Sequence, residues 1–179
     1  RAPTAVPLKL RARTAGTGLA ARPTDDDTEW RVRYRAQLDA GGDAITDIER
    51  AARVALLGRV PFFQPCGPTD LATLAATAYP IAFDVGDALC VEGADAPDCY
   101  VIAAGEAAVT IGGKPITTVG ADDVVGERGL VLGAQRAATV TATSHMITYA
   151  ISRERLQSVL DRSAETAAAM RAEIERRYS

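Results

Sequence analysis

The sequence is poor in lysine, and this shortage excludes one broad class of function. Lysine occurs only at Lys9 and Lys114, and the 179-residue chain carries a net charge of −3. A protein that binds nucleic acid through its phosphates needs a basic face, so we expect no nucleic-acid partner, although a local anion site is still allowed. Arginine supplies nearly all of the positive charge, and this bias favours a bacterial source with a GC-rich genome.

Cysteines and long apolar runs are also scarce. The three cysteines, Cys66, Cys90 and Cys99, are too far apart for a C-x-x-C pair, and an odd number does not make a complete disulfide framework. Buried free thiols in a reducing, cytoplasmic compartment fit best. No run approaches the ~18 apolar residues that cross a bilayer, so no membrane contact by this segment is expected. Because the chain begins at Arg1, we interpret it as part of a longer protein.

The motifs that mark common enzymes are missing too. The one histidine, His145, is interpreted as structural, and Gly112-Gly113-Lys114 is followed by Pro115, which predicts a hairpin turn rather than a phosphate-binding loop. The stretch GTGLAA at residues 16–21 nearly matches a dinucleotide fingerprint, but Pro23 follows too soon for the required helix. We therefore expect no enzyme, no cofactor and no metal site.

The apolar periodicity predicts an α+β fold, a β jelly-roll barrel flanked by N-terminal and C-terminal helices. We divide the chain into an extended lead-in at 1–23, an N-terminal helical connector at 24–57 and a main domain at 58–179, with the barrel at 80–151 and helices at 152–179. A short helix is predicted from Pro68 to Ala78. The predicted strands are Ile81–Phe83, Ala88–Val91, Cys99–Ala103, Ala107–Ile111, Pro115–Val119, Ala137–Ala142 and Met146–Ile151.

One interruption between two predicted strands carries chemistry. Residues 126 to 142 read GERGLVLGAQRAATVTA, with Glu127 and Arg136 separated by glycines and apolar residues. Gly126 allows unusual dihedral angles, and residues 128–132 are compatible with a short helical turn whose free N–H groups would attract an anion. Arg136 offers a planar fork for phosphate oxygens, and Glu127 accepts hydrogen bonds from hydroxyl groups. The pair suits a ligand that has one compact anion and one nearby hydroxyl.

This stretch resembles the phosphate-binding cassette of cyclic nucleotide-binding domains, the family of the catabolite activator protein and the regulatory subunits of protein kinase A. The family pattern Phe-Gly-Glu, any residue, Ala or Gly, Leu, and then Arg-Ala-Ala-Thr-Val corresponds to Val125–Leu130 and Arg136–Val140. The upstream markers Gly86-Asp87, Glu92-Gly93, Tyr100-Val101-Ile102 and Gly105 occur in the family's order. The resemblance covers roughly residues 45–178.

The resemblance implies a binding site. Glu127 would accept the ribose 2′-hydroxyl, Arg136 would pair with the cyclic phosphate, and backbone N–H groups near Arg128, Gly129 and Ala137 would complete the cradle. Ala137 after the key arginine leans toward cAMP over cGMP. The purine would be covered by Met170, Ile174 or Tyr178 of the last helix. The predicted ligand-binding set is Gly126, Glu127, Arg128, Gly129, Leu130, Arg136, Ala137 and Ala138.

The chain departs from the family pattern at three cassette positions. Val125 replaces the usual Phe, Gly129 replaces the commoner Ala, and Arg128 replaces an apolar residue, which predicts that its side chain points to solvent. Outside the cassette, the arginines of the C-terminal helices, Arg176 and Arg177 among them, are offset by acids and predict a solvated helix face.

The resemblance favours a cAMP sensor or regulatory domain of a larger bacterial protein, with a membrane transporter or channel as one possible parent. Its partners would be the cyclic nucleotide, an attached domain upstream and, in a homo-oligomer, further copies of the chain. The alternative is a degenerate, ligand-free member of the fold that serves as an interaction or structural module, in which Glu127 and Arg136 form a plain ion pair.

Overall fold

The computed structural model describes residues 47–179. In this part of the chain, helices come before and after the strands of a β sandwich. The predicted lead-in at 1–23 and most of the connector at 24–57 lie outside the described residues. The helices are α1 (Asp47–Arg59), α2 (Pro68–Thr77), α3 (Glu127–Leu132), α4 (Arg153–Leu160) and α5 (Ala164–Tyr178), with a 3₁₀ turn at Pro61–Phe63. The strands are β1 (Tyr79–Phe83), β2 (Ala88–Cys90), β3 (Asp98–Ala104), β4 (Ala107–Ile111), β5 (Lys114–Val119), β6 (Val124–Val125), β7 (Thr139–Ala142) and β8 (Met146–Ser152).

The eight strands form two four-stranded antiparallel sheets, in the orders β1-β8-β3-β6 and β2-β7-β4-β5. The predicted α+β class, the jelly-roll character and the flanking helices are confirmed. The described strands pair within two separate sheets, so the jelly roll is an open sandwich rather than a closed barrel. Strand spacing alone does not distinguish a barrel from a sandwich, because both need short alternating strands joined by turns. The domain boundaries drawn from the sequence stay a prediction.

Strand β3 separates two apolar cores. Its first five residues are all buried, because successive side chains point to opposite faces of a strand and both faces are covered. Cys99 and Val101 face a core formed with the helices, whereas Tyr100 and Ile102 face the interior of the sandwich. Among the described residues, nothing covers β5 of the second sheet in this way, since five of its six residues are exposed.

Strand β6 escaped the sequence prediction because it has only two residues. Val124 and Val125 pair with Val101 and Tyr100 of β3, and both are fully or nearly fully buried. This pairing fixes the chain one residue before Gly126, so that the predicted cassette starts from a rigid strand.

The helix ends follow ordinary capping rules. The Ser152 hydroxyl accepts a hydrogen bond from the backbone N–H of Arg155, and the Ser163 hydroxyl accepts one from Thr166, as expected of N-cap serines. Within residues 47–179, no helix combines the length and the apolar character that crossing a bilayer requires. The three cysteines are free and buried, as predicted.

Candidate functional site

The cassette begins with a backbone conformation that only glycine adopts easily. Gly126 has φ 82° and ψ −1° and precedes helix α3, in the left-handed region that disfavours residues with a Cβ. A Cβ at this position would collide with the guanidinium of Arg136. Gly126 therefore provides both the turn from β6 into α3 and the space for the arginine.

Arg136 is buried, with 5% of its surface exposed. Its Nη1 donates a hydrogen bond to the carbonyl oxygen of Gly126 at 3.1 Å, and its guanidinium lies 5.8 Å from the centre of the Tyr100 ring. Neither of these two partners carries a negative charge. A buried cation is costly without an anion nearby, so the wall that holds Arg136 favours an anionic ligand.

Two backbone hydrogen bonds hold the Arg136 main chain. The N–H of Arg136 donates to the carbonyl of Ala94, and the N–H of Gly93 donates to the carbonyl of Arg136, both at 2.8 Å. The partners Gly93 and Ala94 lie in the loop between β2 and β3, so Arg136 pairs with a loop and not with a strand. Strand β7 starts at Thr139, and the predicted start at Ala137 is wrong. The correction frees Ala137 and Ala138 from the sheet, and both line the cavity described below.

Glu127 is the second polar group of the cassette, and its side chain is fully buried. Its Oε1 accepts a hydrogen bond from the Tyr178 hydroxyl at 2.9 Å and lies 3.4 Å from Nη1 of Arg177. Its Oε2 is buried without a hydrogen-bond partner among the described residues. Burial raises the pKa of Glu127, and the positive charge of Arg177 opposes that rise.

The end of α5 thus reaches the cassette. Met170 and Ile174 are buried in the helical core, which leaves Tyr178 as the member of the three predicted lid residues that borders the cavity. The prediction that Arg128 points to solvent is confirmed in that the residue is exposed, yet its guanidinium lies 5.3 Å from the centre of the Tyr178 ring. Arg177 is exposed, as predicted for a solvated face, but the acid that it pairs with is the buried Glu127 of the cassette and not a neighbour on its own helix.

A cavity of about 220 Å³ lies between the cassette and the second sheet. Six of the eight predicted site residues line it, together with Arg177, Tyr178 and apolar side chains of β4 and β5. Glu127 does not border the cavity directly, and Leu130 is 3% exposed and packs in the helical core instead. The predicted residues on the wall are Gly126, Arg128, Gly129, Arg136, Ala137 and Ala138.

The wall has an uneven charge and polarity. Three arginines line the cavity, Arg128 and Arg136 from the cassette and Arg177 from α5, and most of the other lining side chains, from the second sheet, are apolar. The sequence prediction had missed the apolar half, because its residues come from a hairpin about ten residues upstream of the cassette. The alternation of Val109 and Ile111 along β4 was the available signal, whereas Ile116 and Val119 are three residues apart on β5. The members of the hairpin in the cavity wall are Val109, Ile111, Ile116 and Val119.

Gly129 shows why this cassette carries glycine where alanine is commoner in the family. A Cβ at Gly129 would lie 2.6 Å from the Cβ of Ala96 and 2.9 Å from the carbonyl oxygen of Ala134. Both distances are shorter than the contacts that a Cβ atom makes with non-bonded atoms in real structures. The neighbouring Ala96 therefore fills the space that an alanine at position 129 would need.

A second, more open groove of about 310 Å³ lies behind the cassette loop and contains none of the predicted site residues. The guanidinium of Arg153 in its wall already donates to the carbonyl oxygen of Ala96 at 2.8 Å. Among residues 47–179, no group of three or more His, Cys, Asp or Glu could hold a metal ion. The cavity beside Arg136 is therefore the candidate binding site.

Comparison with known proteins gives the same assignment. The family profile described as Cyclic nucleotide-binding domain matches residues 80–163. A cGMP-dependent protein kinase of Toxoplasma gondii is 31% identical over 104 residues, which is 58% of this chain and 10% of the kinase. The chain therefore spans only about a tenth of this curated relative.

Two solved structures extend the comparison to the fold. A mutant regulatory subunit of a cAMP-independent protein kinase A from Trypanosoma brucei, bound to cAMP, superposes with a TM-score of 0.62 at 26% identity, over 64% of this chain and 43% of that one. The sensor domain of the transcriptional regulator DNR from Pseudomonas aeruginosa has a TM-score of 0.65 at 19% identity, over 74% and 91%, and shows the fold alone. The resemblance seen in the cassette is confirmed, since residues 80–163 match the profile of the cyclic nucleotide-binding domain and the fold is similar to that of the cAMP-bound regulatory subunit.

Proposed function

We propose that this domain binds cAMP and acts as the sensor of a larger regulatory protein. The observation that carries the proposal is a buried arginine, Arg136, on the wall of a cavity. The same cassette contains a buried carboxylate, that of Glu127, with an unused acceptor oxygen. A cyclic nucleotide presents one phosphate charge and one free ribose hydroxyl, which suit these two groups. In the proposal Arg136 pairs with the phosphate and Glu127 accepts the 2′-hydroxyl.

The apolar half of the cavity supports binding of a base. A flat purine can bury its faces on the apolar surface formed by Val109, Ile111, Ile116 and Val119. Tyr178 of helix α5 borders the same cavity. Ala137 in place of a hydroxyl-bearing residue supports cAMP over cGMP. We propose Tyr178 as the lid residue of the three candidates.

The site is proposed to regulate, not to catalyse. The structural relatives named above are regulatory and sensor domains, and the curated kinase is matched over a tenth of its length. In the proposal an attached domain receives the signal in the cytoplasm. A bacterial source and a transporter or channel as the parent rest on arginine bias and analogy, since the relatives include both protozoan and bacterial proteins.

One observation favours the ligand-free alternative. Oε1 of Glu127 is already engaged by Tyr178 and Arg177, so the carboxylate is partly satisfied inside the protein. The form of that alternative in which Glu127 pairs with Arg136 has no support, because the ion pair of Glu127 is with Arg177.

Calorimetric titration of the chain with cAMP, cGMP and AMP tests the proposal. We expect saturable binding with cAMP tightest, and at least about tenfold weaker binding in Arg136→Lys, because a single ammonium cannot replace a forked, charge-assisted pair worth about 1.5–3 kcal/mol. Arg176→Lys is the matched control, since Arg176 pairs with Glu173 at the surface of the same domain. If no cyclic nucleotide binds in the titration, only the ligand-free alternative remains.

A further inference from the structure

The two oxygens of the Glu127 carboxylate have different surroundings. Oε1 accepts a hydrogen bond from the Tyr178 hydroxyl and faces the guanidinium of Arg177, at 2.9 and 3.4 Å. Oε2 is buried and makes no hydrogen bond to another residue within residues 47–179. A buried acceptor without a donor costs about 1–3 kcal/mol, so a ligand hydroxyl gains most by donating to Oε2. The end of α5 has therefore left one acceptor oxygen for a ligand.

We propose that Tyr178 and Arg177 determine which ribose the site accepts, because they occupy Oε1 and limit Glu127 to a single ligand hydroxyl. This inference rests on the proposed function, since it requires that Glu127 receives the ligand's ribose. A 3′,5′-cyclic nucleotide has one free ribose hydroxyl. Nucleosides and linear 5′-nucleotides have two neighbouring hydroxyls, which a carboxylate satisfies best with both of its oxygens. The occupied Oε1 therefore selects against the second hydroxyl.

Contacts with the core and with the cassette place Tyr178 and Arg177 beside Glu127. Helix α5 is anchored in the helical core by Ala167, Met170 and Ile174, and the last of these lies one turn before Tyr178. The Tyr178 ring is also stacked by Arg128 from the cassette, at 5.3 Å. Burial raises the pKa of Tyr178, and the phenol remains a hydrogen-bond donor at neutral pH.

The cavity wall supports a role in selection. Arg177 and Tyr178 border the cavity, whereas the carboxylate that they contact does not. A ligand therefore meets these two side chains where it approaches Glu127. A hydroxyl that needs Oε1 has to displace a donor already bonded there, whereas a hydroxyl that uses Oε2 does not.

The test compares cAMP, 2′-deoxy-cAMP and adenosine by calorimetric titration of the full 179-residue chain. Tyr178→Phe removes the hydroxyl but keeps the ring that stacks on Arg128. We expect it to shift the affinity ratio of adenosine to cAMP by about tenfold toward adenosine, the size of one hydrogen bond to a charged group. Arg177→Gln should shift the ratio in the same direction. Arg176→Gln, whose residue pairs with Glu173, should leave the ratio unchanged.

The outcomes separate this inference from the proposed function. If the unsubstituted chain binds cAMP but both variants keep its adenosine to cAMP ratio, the inference fails and the cAMP site stands. A gain in cAMP affinity larger than the gain for adenosine in Tyr178→Phe also overturns it, because the phenol would then compete with the cyclic ligand. Equal binding of cAMP and 2′-deoxy-cAMP shows that Glu127 takes no hydroxyl. Absence of binding by all three ligands refutes both.

Discussion

Arg136 owes its position to the missing side chain of Gly126. The guanidinium passes over the glycine and donates to its carbonyl oxygen, in space that a Cβ would occupy. The same glycine adopts a left-handed conformation that turns β6 into α3. One residue thus meets two requirements of the cassette, a backbone turn and room for the cation.

Gly126→Ala should abolish tight cAMP binding, because the new Cβ displaces Arg136 from the cavity wall. Gly133→Ala is a matched control: Gly133 also has a positive φ, 66°, at the other end of α3, but a Cβ there meets nothing within 4 Å. Both variants should lose about 1 kcal/mol of stability from backbone strain. In thermal unfolding, we expect only Gly126→Ala to lose more than this 1 kcal/mol of stability. In calorimetric titration, we expect only Gly126→Ala to lose cAMP binding. Equal cAMP affinities in the two variants would contradict the role given to Gly126.

Glu127 should make the stability of the chain depend on pH. Burial raises the pKa of this carboxyl above its ordinary value, so the folded chain binds the proton more readily than the unfolded chain. The stabilisation that results is present at low pH and is lost as the pH rises through the raised pKa. Glu127→Gln removes this dependence. The melting temperature of the variant minus that of the unsubstituted chain should therefore increase with pH above the ordinary glutamate pKa, and a difference that stays constant would refute the raised pKa.

At the scale of elements, the β4–β5 hairpin and the cassette contribute opposite halves of one cavity. The hairpin leaves the second sheet with its outer residues exposed, Ile111 at 44% and Ile116 at 57%. Neighbouring exposed apolar side chains are typical of a ligand-binding surface. Because both side chains also line the cavity, the hairpin is better explained as a wall for a ligand than as part of the protein core.

Ile116→Ser should weaken cAMP binding several-fold with little change in the free energy of unfolding. The loss reflects apolar area that the base would cover, at about 25 cal/mol per Å², while the exposed side chain contributes little to the folded chain alone. Val85→Ser is the control, since Val85 is 66% exposed in the turn between β1 and β2 and lies outside the cavity wall. A melting temperature lowered as much as the affinity would place Ile116 in the core rather than in the site.

At the scale of the whole molecule, α1 is attached to the sandwich by a buried arginine. Arg53 is 8% exposed, donates to the carbonyl oxygen of Ala78 at 2.6 Å and lies 5.0 Å from the centre of the Tyr149 ring. Leu56 and Leu57 complete the buried face of the helix. Helix α1, the described end of the predicted connector, therefore joins the domain through a specific polar contact as well as through apolar packing.

Arg53→Ala should lower the free energy of unfolding by about 2–3 kcal/mol, the combined size of a charged hydrogen bond and a buried cation–π contact. Arg50→Ala provides the control in the same helix, because Arg50 is half exposed and pairs with Asp47 at only 3.8 Å. Urea unfolding of the two variants measures the difference. Similar midpoints would show that α1 does not depend on Arg53.

The cassette was predictable because its chemistry is contiguous. Gly126, Glu127 and Arg136 lie within one short segment, and the dihedral freedom of glycine and the charges of the other two residues are local properties. The strands and the helix caps at Ser152 and Ser163 were predictable for the same reason, since alternation and capping depend on neighbours in the chain.

Contacts between distant segments were not predictable in this way. In the sequence, Arg177 cannot be distinguished from the other arginines near the end of a charged helix. Only the packing of α5 turns it toward Glu127, fifty residues upstream. The choice of Tyr178 over Met170 and Ile174 depends on the same packing, because helical spacing places all three near one side of α5. The division of the jelly roll into two sheets was not predictable either, because strand pairing is decided by partners far apart in the sequence.

The sequence by itself determined the family, the α+β class and the identity of the buried acid and base, because these depend on residue types at short, fixed spacings. Only the tertiary structure decided that the strands form two sheets, that a hairpin wall completes the cavity and that one oxygen of Glu127 is already engaged. Those features arise from the packing of segments that are remote in the chain, and no local pattern encodes which of them meet.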